Sequence, residues 1–120
     1  MQMTEAQMTA FEQACLRQFA LRLCRYIEEG FSGRRAQSGE QVPRGAALEA
    51  AVATLIATAN RLGVKSELAV GQFVVLGVAY AKDFHQSRRV AELLGDSRAS
   101  PDRNMQDVLD AVLVAEARSA

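Results

Sequence analysis

The side chains of this chain that could carry chemistry are few: one histidine, His85, two cysteines, Cys15 and Cys24, and carboxylates scattered along the sequence. A metal site usually draws on three or four convergent ligands, and no segment offers that many at suitable spacing. Asp83 and His85 lie two residues apart, which on a helix turns them about 160° away from each other. They read as surface groups near a helix end. Glu28 and Glu29 are adjacent, diverge in the same way, and read as a solvated face. A Cys–His nucleophile would require a meeting in the fold that no local spacing announces. The glycines of "GFSGRRAQSG" lack the Lys-Ser/Thr ending that a phosphate-binding loop needs. Arg34-Arg35 and Arg88-Arg89 are isolated pairs without the interleaved aromatics of a nucleic-acid-binding stripe, and read as surface charge. The sequence therefore predicts no catalytic residue, no metal ligand and no cofactor, and describes a protein that is not an enzyme.

Composition agrees with that bland chemistry. The 120 residues are the size of one domain. Fourteen basic and fourteen acidic side chains cancel, so no global field draws the chain to nucleic acid or to an anionic membrane. Twelve of the basic residues are Arg, and alanine occurs 21 times, a helix-friendly bias. The opening "MQMTEAQMTAFEQ" has neither a basic region nor an apolar run of the kind an export signal carries, which predicts a cytoplasmic protein. Cys15 and Cys24 are nine residues apart in a helical pattern. They face opposite sides about 13 Å apart along the axis and cannot bond to each other, as suits free thiols in a reducing compartment.

The elements that position these residues are helical. Thr4 and Gln7 have the spacing of a capping box, and Met8, Phe11, Cys15, Phe19, Leu23 and Tyr26 then recur every three or four residues. They predict one apolar seam facing the core, widened by Leu16 and Ile27 and ended by Gly30. Residues 30–44 form a long loop, with Phe31 free to fold back onto the core. A second helix is predicted over about 45–62 with Leu48, Val52, Leu55, Ile56 and Ala59 on one side. Gly63 stands where a helix-ending glycine belongs, and Ser66 is placed to cap the next helix. A short helix is predicted over 87–94, then a linker over 95–100. Ser100, Pro101 and Asp102 open a last helix with Met105, Val108, Leu109, Val112 and Leu113 as its stripe.

Between these lies "GVKSELAVGQFVVLGVAYAKDFH", the most apolar stretch. Its uninterrupted part, Leu68 to Ala81, is well short of the ~20 residues that span a bilayer. A strand there would have no partner strand, since every flanking segment reads as helix. Apolar residues fall on all its faces, as in a helix surrounded by others. Gly71 and Gly77 each weaken such a helix by about 1 kcal/mol unless they admit a close neighbour, which predicts another backbone crossing there. The fold class is thus all-α: a single domain over 1–120, a compact bundle of four to five helices around a central apolar helix at about 67–84.

Residues 60–85, "NRLGVKSELAVGQFVVLGVAYAKDFH", resemble a family of small helical proteins encoded beside type VI secretion spike, PAAR and effector genes. The shared pattern is the Leu62-Gly63-Val64 turn, Glu67, an apolar helix of fixed length from Leu68, and Asp83-Phe84. "QMTAFEQACLRQFALRLCRYI" is similar to the first helix of that family. The chain departs from the pattern at Leu62, Ala81 and His85, where an aromatic, a glycine and a second acid are usual. The resemblance implies an accessory protein, a chaperone, co-chaperone or adaptor. Its protein partner would be a secretion effector, the chaperone of that effector or a spike component, with a homo-oligomer also compatible. Tyr80, Asp83, Phe84, Arg88 and Arg89 are the partner-binding candidates. The alternative is an immunity protein that binds and inhibits a cognate toxin, although such blockers often present acidic clusters and this surface shows none.

Overall fold

Thr4 starts the first helix for a local reason. Its hydroxyl accepts from the Gln7 N–H at 3.1 Å while its own N–H donates to Gln7 Oε1 at 2.9 Å, so two orphan donors of the helix start are satisfied reciprocally. The computed structural model describes residues 4–31, 35–36 and 39–119, and side-chain surroundings as far as residue 114. Arg34 of the Arg34-Arg35 pair lies outside the described residues. Among them are five α-helices: α1 (Glu5–Phe31), α2 (Gly45–Arg61), α3 (Glu67–Ala79), α4 (Arg88–Leu94) and α5 (Pro101–Ser119). A 3-10 turn spans Phe84–Gln86. Buried side chains from all five helices make one core cluster, and the fold is the expected all-α bundle.

α3 is its axis. It touches α1, α2 and α5 as well as the 3-10 turn, and Phe73 and Val74 are fully buried. Only its first turn is open, with Leu68 76% exposed and the Glu67 side chain 73% exposed. Ser66 caps the start, its hydroxyl accepting from the Ala69 N–H at 3.1 Å. The helix ends earlier than the expected 67–84. Tyr80 closes it, the chain turns, and Phe84 folds back until its ring centroid lies 4.9 Å from that of Phe73. Burying that second aromatic, left 3% exposed, offsets the helical hydrogen bonds given up.

The expectation of a backbone crossing at the two glycines is corrected by side chains. A Cβ at Gly77 would lie 2.6 Å from Leu55 Cδ2, and one at Gly71 would lie 3.6 Å from Leu23 Cδ2. Gly77 is therefore the socket for Leu55 of α2, whereas Gly71 has room.

The turn between α2 and α3 closes α2 with backbone alone. Gly63, at φ +88, donates to the Asn60 carbonyl at 3.1 Å, and Val64 donates to the Ala59 carbonyl at 2.9 Å. This is a Schellman ending, and the hydrophobic contact that accompanies it is present, since Val64 and Ala59 are both fully buried. α5 then locks the turn from outside. The Asp102 carboxylate accepts from the Lys65 N–H at 2.6 Å and from the Ser66 N–H at 3.2 Å, and Ser100 caps α5 through the Arg103 N–H.

α1 departs most from expectation. The seam predicted to face the core is largely outside: Met8 is 44%, Phe11 58% and Tyr26 60% exposed. The stripe that faces the bundle is Phe19, Ala20, Leu23, Cys24, Ile27 and Phe31, so Phe19, Leu23 and Ile27 do reach the core as expected, while the centre of the stripe is displaced about 100° around the helix from that of the seam. Every residue from Glu5 to Gln18 is exposed, so the first half of α1 extends past the bundle. The radius of gyration, 15.5 Å, and the long dimension of 55 Å reflect it, since a compact chain of this length has a radius near 14 Å. Gly30 lies inside the last turn of α1 instead of ending it. In α5, Met105, Val108 and Val112 are buried as expected, while Leu113 is 52% exposed.

Candidate functional site

Among the described residues, a concavity lies between α2, the segment 35–43, of which 35–36 and 39–43 are described, and the end of α3. It encloses about 560 Å³, within the range of small-molecule and peptide pockets. One wall is the face of α2 bearing Ala50, Ala51, Thr54, Thr58 and Arg61. Their spacing of three or four residues puts them on one side, and the small side chains are what leave the space. The floor is Leu55 seated over Gly77, with Val78 beside it.

The opposite wall is a strap of loop. Arg35 and Gln41 form an isolated antiparallel bridge. The Ala36 N–H donates to the Glu40 carbonyl at 2.7 Å, and the Gly39 N–H donates to the Ala36 carbonyl at 2.8 Å. Gly39 has φ +93, a conformation that glycine adopts without strain. Ala36 and Val42 are buried and anchor the strap at each side of the turn. The loop begins from a tethered end, because Phe31 packs against the core as expected. It closes through Glu28, whose carboxylate accepts from the Gly45 N–H at 3.3 Å. A carboxylate at a helix start is favoured there by the helix dipole, so Glu28 has a structural partner that the reading as a solvated face did not foresee.

Charge sits at the rim. Lys82 and Glu40 face each other across the mouth at 3.9 Å, their side chains 75% and 64% exposed, a pair too solvated to hold the groove shut. Arg61 and Asp83 border the same opening. His85 lines it too, its ring centroid 5.6 Å from Phe73 and 5.8 Å from Phe84. Its Nδ1 is shielded and bonds no group among the described residues.

Of the five residues singled out from sequence, Asp83 lines this groove. Tyr80 is half-buried and packs against the core edge. Phe84 is buried against Phe73 and has almost no surface to present. Arg88 and Arg89 stand exposed on α4, with Arg88 paired to Glu92 at 3.1 Å on the same helix. The five do not gather into one surface patch, because the chain turns between Tyr80 and Phe84. What sequence reading passed over is the wall of α2. The signal was present in Ala50, Ala51, Thr54, Thr58 and Arg61, a small and polar face beside the buried Leu48, Val52, Leu55 and Ala59 stripe.

The two thiols differ. Burial, followed by the nearby Glu49 and Glu28 carboxylates, raises the Cys24 thiol above its ordinary value, while Cys15 is exposed. No group of three or more His, Cys, Asp or Glu side chains capable of holding a metal occurs among the described residues. No helix of the described residues is long and apolar enough to cross a membrane. Comparison of the chain with family models, with curated proteins and with solved structures finds no match.

Proposed function

We propose that this chain is a non-catalytic, cytoplasmic accessory protein that holds a segment of a protein client in the groove between α2 and the 35–43 strap. The observation that carries the reading is the groove itself: about 560 Å³, floored by Leu55 and Val78 and bordered by Arg61, Lys82, Glu40 and Asp83. An apolar floor with charges of both signs at the rim suits a peptide that buries one or two side chains and leaves its backbone and flanking charges at the edge. The resemblance of residues 60–85 to the type VI accessory family supplies the client class: a secretion effector, its chaperone or a spike component. Asp83 is the residue common to that resemblance and to the groove.

Thr54→Trp tests the reading, because Thr54 lines the groove and is exposed. A bulky ring there fills the groove without entering the core. Co-expressed with the effector of an adjacent gene, the wild-type chain is expected to co-purify with it and raise its soluble yield. The variant is expected to bind at least about tenfold more weakly, as when a central contact of an interface is lost, with an unchanged thermal midpoint. Unchanged binding by the variant counts against the groove. Neutralisation of a cognate toxin at equal stoichiometry would instead identify an immunity protein.

A further inference from the structure

We propose that the projecting half of α1 pairs with the same segment of a second copy, antiparallel, about a two-fold axis at Cys15. A helical stretch of this length without tertiary contacts is marginal in water, yet Glu5 to Gln18 are exposed on every side. Up to Cys15 its apolar seam is unmet by the bundle, with Phe11 58% and Met8 44% exposed, and beyond it Phe19 packs only partly against the core. A covering helix would satisfy both facts.

Two features select a second copy as the cover. The first is register. Met8, Phe11, Cys15, Phe19 and Arg22 are spaced 3, 4, 4 and 3 residues apart, a pattern that reads the same from either end about Cys15. An isologous antiparallel contact requires that symmetry: Phe11 meets Phe19 of the second copy, and Met8 meets its Arg22.

Charge gives the second. From Thr4 to Cys15 the charged residues are Glu5 and Glu12, and from Leu16 to Tyr26 they are Arg17, Arg22 and Arg25. Antiparallel pairing runs the acidic half of each helix beside the basic half of the other and opposes their dipoles, whereas parallel pairing sets like against like.

The existing Arg22–Glu67 pair, at 3.5 Å and with side chains 65% and 73% exposed, is weak enough to release Arg22 to the new contact.

The full-length protein tests this in three measurements. Light scattering after gel filtration is expected to give twice the 13.0 kDa chain mass. Phe11→Asp is expected to raise the dissociation constant at least about 30-fold, as for an interface hot spot, while leaving the thermal midpoint of the bundle unchanged. Met8→Cys and Arg22→Cys are made separately in chains carrying Cys15→Ser and Cys24→Ala, then mixed and oxidised. Antiparallel pairing is expected to link one variant chiefly to the other. Links of each variant chiefly to itself would show parallel pairing and overturn the register. A monomeric mass across micromolar concentrations, or a Phe11→Asp chain that still dimerises, would overturn the proposal altogether. None of these outcomes depends on the groove, so the client reading stands or falls separately.

Discussion

At the scale of single residues, several polar side chains tie distant backbone together. Asn104, only 3% exposed, donates its amide to the Leu94 carbonyl at 3.2 Å and to the Asp96 carbonyl at 2.9 Å, so one side chain of α5 satisfies the end of α4. Asp96 is held in turn by Arg98, with a 2.7 Å contact to the guanidinium. Hydrogen bonds from the Arg98 side chain and backbone, with its charge, lower the Asp96 carboxyl to about 2. A carboxyl depressed in the folded state adds stability above its unfolded value near 4 and loses it as pH falls toward 2. The pair is at the surface, so the contribution is small and salt-sensitive. NMR titration is expected to place the Asp96 midpoint near 2 and to raise it part of the way toward the ordinary carboxylate range in Arg98→Ala, where the residue 98 N–H still donates to the carboxylate. An ordinary midpoint in the wild-type protein would contradict the assigned contact. Sequence showed Asp102 as a helix-start acid and no more. Its grip on Lys65 and Ser66 joins residues far apart in the chain, and such a contact has no local signature.

Among the elements, whatever is decided within four residues was legible and whatever depends on packing direction was not. Thr4 with Gln7, Ser66, Gly63 and Ser100 act as the sequence predicts, because a cap is a short-range contact. The face that α1 turns inward is set by α2 and α3, and two apolar stripes on one helix cannot be ranked by periodicity alone. The end of α3 was misplaced for a related reason: Ala81 to Phe84 has helical composition, but Phe84 gains more by reaching Phe73. The two glycines of α3 look equivalent in sequence and are not. Gly71→Ala is expected to stabilise the protein by about 0.5–1 kcal/mol through helix propensity, since Leu23 is at an ordinary contact distance. Gly77→Ala is expected to forfeit that gain and cost about 1–2 kcal/mol, because Leu55 must leave its socket. Chemical denaturation of both variants checks the pair, and equal shifts would show that Leu55 is not seated there.

For the molecule as a whole, one core holds the helices in place and two surfaces remain uncommitted, the groove and the exposed seam of α1. Phe73 is the largest fully buried side chain. It contacts Phe84 and His85, and His85 lines the groove, so the core braces the site through that ring. Phe73→Ala is expected to cost about 3–5 kcal/mol in denaturation; a smaller loss would mean that the 3-10 turn collapses into the vacated space. The all-α class and the interior helix were readable from composition and from the apolar run of α3. The groove was not, since it arises where the strap meets small residues of α2, and a cavity is a property of two segments at once.

The grip of Asp102 on the α2–α3 turn also has a temporal side. Ribosomes deliver the chain in the N-to-C direction, and the peptide groups at Lys65 and Ser66 gain that carboxylate only after the start of α5 has emerged. Nascent chains ending before Pro101 would therefore lack the buried Met105, Val108 and Val112 and hold their apolar side chains in a loose, protease-sensitive state until α5 arrives.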